Sequence, residues 1–444
     1  MRKSSVALVF VLLVGVSFSL SAVDWGSTVD TSSNLNVGTK VEDAVIESAR
    51  VSAFLRHTFS DRLTLSGKGS YRFQLELPLE GDPDIEPYFL DLNHLYMAGD
   101  LPVTGAQSVV SYRAGRFRFS DGTGLILADT LDGARLRVTT ERGSVRLGAG
   151  YSGLTAAQSS TIEMSKADTE SNADEDTYTA PPRAFGLWEV TLPQIIGSQE
   201  IGVSALYAQD LRERDSLATG QGRVTALYSG GHLRGPIVPG LSYRAFGVFQ
   251  TGNVLSDTGS GYEYKAKFAY LAGARLRYLN RDALYSLVEL RYLHSSGDAD
   301  YRSYYEGNTS GSAEMFTGAS NPGLGLVFAP RLGNLMTANL AYSFRPLSGL
   351  PGPRTQQLQI RLDSYAYLRE TGGAISEGGL RAGSTDRYVG AEADLSVNYR
   401  PFSDLGLGVA GGVFLPNTYG SESVFDPEQR DIEYVVRVTT SFSF

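Results

Sequence analysis

The sequence predicts an all-β fold: a transmembrane antiparallel up-and-down β-barrel of about 18 strands, an even count of the kind single-chain bacterial barrels use. Three observations carry this prediction. The chain ends in Tyr434, Val436, Val438, Thr440, Phe442 and Phe444, a large or β-favouring side chain at every second position. That is a strand with one apolar face closing on an aromatic. The chain opens with Arg2 and Lys3, an apolar run from Val6 to Val16, and small residues around Ser19-Leu20-Ser21-Ala22. This is the layout of an export signal, because the apolar run is too short for a transmembrane helix. The composition is the third: 25 Tyr and 20 Phe beside 2 Trp, 50 Gly and no Cys. Such a mixture suits strands that show aromatic girdles to lipid, and it excludes disulfides and thiolate metal sites.

These features place a signal peptide at 1–22, cut after Ala22, and a single barrel at 23–444 in the bacterial outer membrane. No plug domain or internal repeat interrupts the barrel. The mean hydropathy of −0.13 fits, since lumen residues and loops offset an apolar lipid face. A net charge of −9 argues against nucleic acid as a partner. Outer-membrane lipid is the expected environment. The C-terminal strand ending in Phe444 is the segment the barrel-assembly machinery would read.

Each strand follows from period-two alternation over segments of about ten residues. In 62–77, Leu63, Leu65, Gly67, Gly69, Tyr71, Phe73, Leu75 and Leu77 share one face, against Thr64, Ser66, Lys68, Ser70, Arg72, Gln74 and Glu76. In 265–278, Ala266, Phe268, Tyr270, Ala272, Ala274, Leu276 and Tyr278 oppose Lys265, Lys267, Arg275 and Arg277. In 390–400, Ala391, Ala393, Leu395, Val397 and Tyr399 alternate with Glu392, Asp394, Ser396, Asn398 and Arg400. Short turns near Ser60-Asp61-Arg62, Glu141-Arg142-Gly143, Asn280-Arg281-Asp282 and Pro401-Phe402-Ser403-Asp404 alternate with longer polar loops. The loops are read at 78–86, 152–182, 210–221, 251–262, 296–333, 369–387 and 416–431, as periplasmic turns and extracellular loops alternate. Gly323 to Phe328 alternates weakly; a strand there would put the later loops on the wrong side, so it is assigned to a loop. The loop 152–182 carries Asp168, Glu170, Asp174, Glu175 and Asp176 and reads as mobile and solvated.

A barrel of this width encloses an aqueous interior unless loops fill it. The basic residues expected inward are Arg50, Arg56, Lys68, Arg72, Arg116, Arg118, Arg135, Arg137, Arg146, Lys265, Lys267, Arg275, Arg277, Arg291, Arg361, Arg400 and Arg437. The expected inward acids are Glu76, Asp91, Glu189, Glu289, Asp363, Glu392, Asp394 and Glu433. Arg116, Arg118, Arg135, Arg137 and Arg146 fall on three successive strands. As a lateral patch they would hold carboxylates or phosphates bidentately and concentrate anions. The competing reading is that they pair with Asp91, Asp132, Glu392 or Asp394 and only keep the wall polar and stiff.

Two stretches resemble the alginate-export family of outer-membrane channels. The first is Ala114-Gly115-Arg116-Phe117-Arg118-Phe119, then Asp121-Gly122-Thr123-Gly124 and Asp132-Gly133-Ala134-Arg135-Leu136. The second is Gly390-Ala391-Glu392-Ala393-Asp394-Leu395, followed by Gly411-Gly412-Val413-Phe414-Leu415-Pro416. The resemblance is strongest in the C-terminal third. It implies a barrel of about eighteen strands with an arginine-rich, anion-selective lumen, and it makes Arg116, Arg135, Glu392 and Asp394 lumen candidates. Small anions, acidic oligosaccharides and other acidic sugars are the solutes it implies.

An enzyme is the alternative of a different class. No nucleophile elbow, His-Glu-x-x-His or Walker loop is present, and the chain has four His. His57 and His94 read as interfacial residues on strands. His294 with Asp298 and Asp300 has no tight metal spacing. No enzymatic activity, metal or cofactor is expected. An adhesin acting through its extracellular loops is the main alternative function. A fatty-acid-type transporter fits poorly, because the inward faces carry arginine rather than a continuous apolar path. The reading is a passive outer-membrane channel (a porin) lined by Arg116, Arg118, Arg135, Arg137, Arg146, Arg275, Arg277, Arg291, Arg361, Glu392 and Asp394.

Overall fold

The computed structural model describes residues 23–444 except 39–42, 61, 81–83, 104–107, 175, 213–222, 259, 306–307, 309–310 and 353. The segment 1–22, expected to be a signal peptide, lies outside the described residues. The strands are β1 (Val23–Val37), β2 (Ala44–Ser60), β3 (Leu63–Pro78), β4 (Asp84–Pro102), β5 (Ser108–Ser120) and β6 (Ala128–Thr140). They continue as β7 (Gly143–Tyr151), β8 (Arg183–Ile196), β9 (Gln199–Asp210), β10 (Arg223–Val238), β11 (Leu241–Asp257) and β12 (Tyr262–Asn280). The last six are β13 (Ser286–Ser295), β14 (Met336–Phe344), β15 (Gln359–Leu368), β16 (Tyr388–Tyr399), β17 (Leu405–Pro416) and β18 (Glu433–Ser443). All pair antiparallel with their sequence neighbours in one 18-stranded sheet, and β1 also pairs with β18, so the sheet closes. Beside that seam Phe444 exchanges both backbone hydrogen bonds with Ser27. The barrel therefore leaves no open sheet edge in the hydrocarbon layer.

The lipid face follows from the pleat. Leu95, Leu147, Trp188, Val203, Phe249, Phe268, Leu290, Leu340, Leu395 and Val438 are all exposed and all lie on the outward register. On the long-loop, extracellular side the strands reach further than the sequence suggests. β11 and β12 run on to Asp257 and from Tyr262, so the loop expected at 251–262 is a short turn between two long strands. On the other side, one connection is long: the segment from 345 to 358, between β14 and β15, contains a 3-10 turn at Thr355–Gln357. Gly323 to Phe328 is loop, as expected.

The barrel has a hydrophobic core inside it. Two long loops, 152–182 and 296–335, fold into the extracellular half of the lumen. Ile162, Met164, Met315, Phe316, Leu324 and Phe328 from these loops are buried. They pack with inward Phe117, Phe119, Leu131, Phe185, Leu206, Val224, Leu271 and Phe414 from the wall. The two loops also pair with each other, through an Ile162–Ser320 bridge and a Glu163 N–H to Ala319 carbonyl bond of 3.1 Å. Apolar side chains line the inside there because the partner is another apolar surface, not water.

The solvated reading of loop 152–182 is overturned at Asp168. Ser165 caps helix α1 (Lys166–Ala173), and Asp168 completes the capping box. Asp168 is fully buried with Arg183, at 2.7 Å, and Arg212, at 2.8 Å. Asp210 joins the same two arginines at 3.0 and 2.6 Å. Four charges in this arrangement satisfy one another, which is the condition for burying any of them.

Candidate functional site

Below the inserted loops, arginines recur at inward register positions of the barrel wall. Arg234, Arg244, Arg275 and Arg291 are directly opposed across β10, β11, β12 and β13. Arg113 opposes Arg135, and Arg137 opposes Arg146, across β5, β6 and β7. Arg277 and Arg361 face the same space. Like charges at directly opposite positions destabilise a sheet, so the wall carries a standing demand for counter-charge. Carboxylates meet part of it: Glu189 holds Arg146 at 2.5 Å, Glu200 holds Arg234 at 2.5 Å, and Asp363 holds Arg361 at 2.6 Å. Arg275 and Glu289 are 3.9 Å apart. Arg113 instead stacks over Tyr96 at 4.3 Å and Phe117 at 5.5 Å, and Arg135 lies 5.5 Å from the Phe117 ring centre. Stacking fixes a guanidinium without neutralising it.

Sequence reasoning placed Arg135, Arg137, Arg146, Arg275, Arg277, Arg291 and Arg361 inward, and the register does so. It misplaced Arg116 and Arg118. On β5 the inward register holds Ser111, Arg113, Gly115, Phe117 and Phe119, so Arg116 and Arg118 point outward near the extracellular rim. Arg116 forms an ion pair of 2.8 Å with outward Asp132 and donates to the carbonyls of Leu92 and Leu154. It seals β4, β6 and a loop together, so the pairing alternative holds for it. Arg113, Arg234 and Arg244 are lumen residues the sequence reading missed. The signal for Arg113 was available: Val110, Tyr112 and Ala114 share the parity of Arg116, which leaves Arg113 on the other face.

Glu392 is also corrected. Glu392 is buried beneath loop 296–335, not open to the pore. Its carboxylate accepts the backbone N–H groups of Leu326 (2.7 Å), Val327 (2.8 Å) and Phe328 (3.1 Å), and the Tyr367 hydroxyl (3.0 Å). Asp394 accepts from Leu326 at 3.2 Å. Gly325 has φ of +109°, and a Cβ there would sit 2.7 Å from both Glu392 oxygens, so only glycine lets the backbone wrap the carboxylate.

The same loop is clamped at Thr317. Gln250 accepts its N–H at 2.9 Å, and Tyr228 donates to its carbonyl at 2.6 Å. Buried Lys267 donates to Thr317 Oγ1 at 3.1 Å and to the Met315 carbonyl. Lys267 is thus an anchor, not a free lumen cation. His94 is corrected too: a bulge in the β3–β4 pairing turns it to the lumen, where it meets Ser66 Oγ at 3.1 Å. His57 is outward against Phe59, as expected. His294 contacts Tyr270 and Glu370. Asp298 instead accepts from Asn308 Nδ2 and Glu314 N–H.

This geometry is a wide barrel with a loop-narrowed lumen. The sequence model for alginate export matches residues 189–423, more than half of the chain. The chain belongs to the alginate-export family. Solved barrels agree in fold. OccK5 of Pseudomonas aeruginosa has a TM-score of 0.55 at 12% identity, covering 96% of this chain and 98% of that one. OpdK of Pseudomonas aeruginosa, solved with vanillate, has a TM-score of 0.53 at 10% identity, with 96% and 98% covered. OccAB4 of Acinetobacter baumannii has a TM-score of 0.54 at 10% identity, with 96% and 99% covered. A comparison with curated proteins finds no match. This alginate-export-family member is an outer-membrane β-barrel with a porin-like channel fold. Its family and its structural neighbours are channels.

Proposed function

We propose that the protein is a passive channel whose electropositive periplasmic chamber draws small anions and acidic oligosaccharides through the outer membrane. One observation carries the reading: the register row Arg234, Arg244, Arg275, Arg291 crosses four adjacent strands with no carboxylate inside it. A cluster of one sign inside a low-dielectric wall raises the local concentration of counter-ions. The family name favours acidic saccharides among the candidates. The inward turn of the two long loops counts against an adhesin that would present them outward. Catalysis has no part in this reading, nor has a metal or cofactor. Export would proceed through a signal peptide cut after Ala22, and insertion through the C-terminal strand ending in Phe444.

The test is single-channel recording of refolded protein in a planar bilayer under a potassium chloride gradient. A reversal potential favouring chloride is expected, and it should move toward zero when Arg244 and Arg275 are both changed to Gln. A reversal potential favouring potassium would overturn the anion assignment.

A further inference from the structure

The inserted loops do not fill the lumen evenly. Their buried contacts fall on β5 to β18: Phe117 and Leu131, Phe185, Ala208, Ala226, Tyr228, Leu271, Phe414 and Val435 are all at or near zero exposure. The clamps at Thr317 and at residues 326–328 come from the same side. On β1, β2 and β3, by contrast, the buried inward residues among those described are Gly26, Ala44, Ser52 and Ser70. The inward faces there stay open and polar: Ser32 bonds Ser48 at 2.8 Å across β1 and β2, and Asn34 accepts from Arg437 of β18 at 2.6 Å. Arg50 opposes both Asp30 and Arg72 in register.

At the periplasmic foot of this wall lies a cavity of about 580 Å³. Arg50, Arg72, Arg345 and Arg400 line it, with Asp30 as its single carboxylate and Gln356 and Gln357 of the 345–358 connection beside them. Among the described residues, none of those four arginines is in a salt bridge. Arg400 donates to the Ser403 carbonyl at 2.5 Å, Arg345 stacks 5.8 Å from the Tyr285 ring centre, and Arg72 stacks 5.2 Å from Phe89. Four guanidinium groups thus face one carboxylate in the cavity lining, with none of them in ion-pair contact, and hydrogen-bonding amides stand within the same cavity.

We infer that solutes pass off-centre, along the β1–β2–β3 wall, and that the cavity at its foot holds the anionic group of the permeant. The path follows from which wall the loops cover. The anion assignment rests on the channel reading above; the path does not. Guanidinium groups bind carboxylate or phosphate in bidentate fashion, and the glutamines suit hydroxyls carried on the same molecule.

The chain has no Cys, so single-cysteine chemistry is clean. Ser48→Cys and Gln74→Cys probe the open wall; Ala208→Cys and Ala226→Cys probe the covered one. Each is treated with sulfonatoethyl methanethiosulfonate and with its trimethylammonium analogue. Modification is read by mass spectrometry in outer membranes as well as by block of current, so a silent channel still gives an answer. Heat-modifiable migration checks that each barrel is folded. Modification at Ser48→Cys should be at least tenfold faster than at Ala226→Cys. The anionic reagent should outpace the cationic one there, and adding Arg50→Gln with Arg345→Gln should cut that preference several-fold. Equal rates on the two walls would overturn the path. Fast reaction at Ser48→Cys with no preference for the anionic reagent would overturn the cavity's role while leaving the path standing. The reversal potential of the unsubstituted protein judges the channel reading separately.

Discussion

Glu392 shows how one side chain can decide the shape of a pore. Its carboxylate is the acceptor for three successive backbone N–H groups, so loop 296–335 is held by charge-assisted bonds at a buried site. Glu392→Gln keeps the volume but replaces one acceptor oxygen with a donor facing N–H groups. Docking of the loop should weaken by about 3 kcal/mol, read as a larger, noisier single-channel conductance. Unchanged conductance and noise would refute the anchoring role. Arg183 plays the matching part for loop 152–182, between Asp168 and Asp210. Arg183→Ala leaves two buried carboxylates to Arg212 alone, and we expect a loss of about 3 kcal/mol. Trypsin should then cut at Lys166, which lies in the capped helix of the wild type. Equal protection of both proteins would refute it. Glu392 was visible in the sequence as an inward acid, but its burial was not. The alternation of β16 gives the face of a residue and says nothing of a loop arriving from 66 positions away.

The two inserted loops behave as one element, because Glu163 of one forms an ion pair with Arg331 of the other. Burial pushes the Glu163 carboxyl above its ordinary range, against the downward pull of Arg331 and with a further upward push from nearby Asp168. Between the ordinary and the raised value the docked loops bind more protons than the undocked ones. Docking therefore weakens as pH rises through that window and is firmer below it. Gating events should be fewer at about pH 5 than at about pH 7.5, and Glu163→Gln should flatten the difference; a pH response that survives this change would assign it elsewhere. At this scale the sequence read the strands well, because each strand needs only its own two-residue period. The loops were legible as loops except at 251–262, most of which is strand. The acid-rich composition of 152–182 suggested a solvated segment, whereas Asp168 meets arginines that lie 15 and 44 positions further along the chain.

At the scale of the molecule, the channel we propose is a basic chamber inside an acidic chain. The net charge of −9 does not describe the lumen, where Arg113, Arg135, Arg137, Arg234, Arg244, Arg275, Arg277 and Arg291 converge below the inserted loops. If the field of that chamber sets selectivity, chloride preference should shrink between 0.1 M and 1 M salt, as the screening length falls from about 10 Å to about 3 Å. Measuring reversal potentials at both strengths checks it. A preference that does not change would put selectivity in direct contacts at a constriction instead.

What the sequence determined by itself is the barrel: its closure, its eighteen strands and the face of most wall residues, because lipid on one side and pleat geometry make these local properties. Where both faces of a strand could be polar, as at Arg116 and Arg118, local pattern gave the wrong side. The extracellular half of the lumen belongs to tertiary structure alone. There Phe117 and Phe119 turn inward because loops from elsewhere in the chain bring apolar partners, and arginine turns outward to the rim. Which wall those loops cover, and so where solutes have room to pass, depends on contacts between segments up to 194 residues apart, and no local period encodes them.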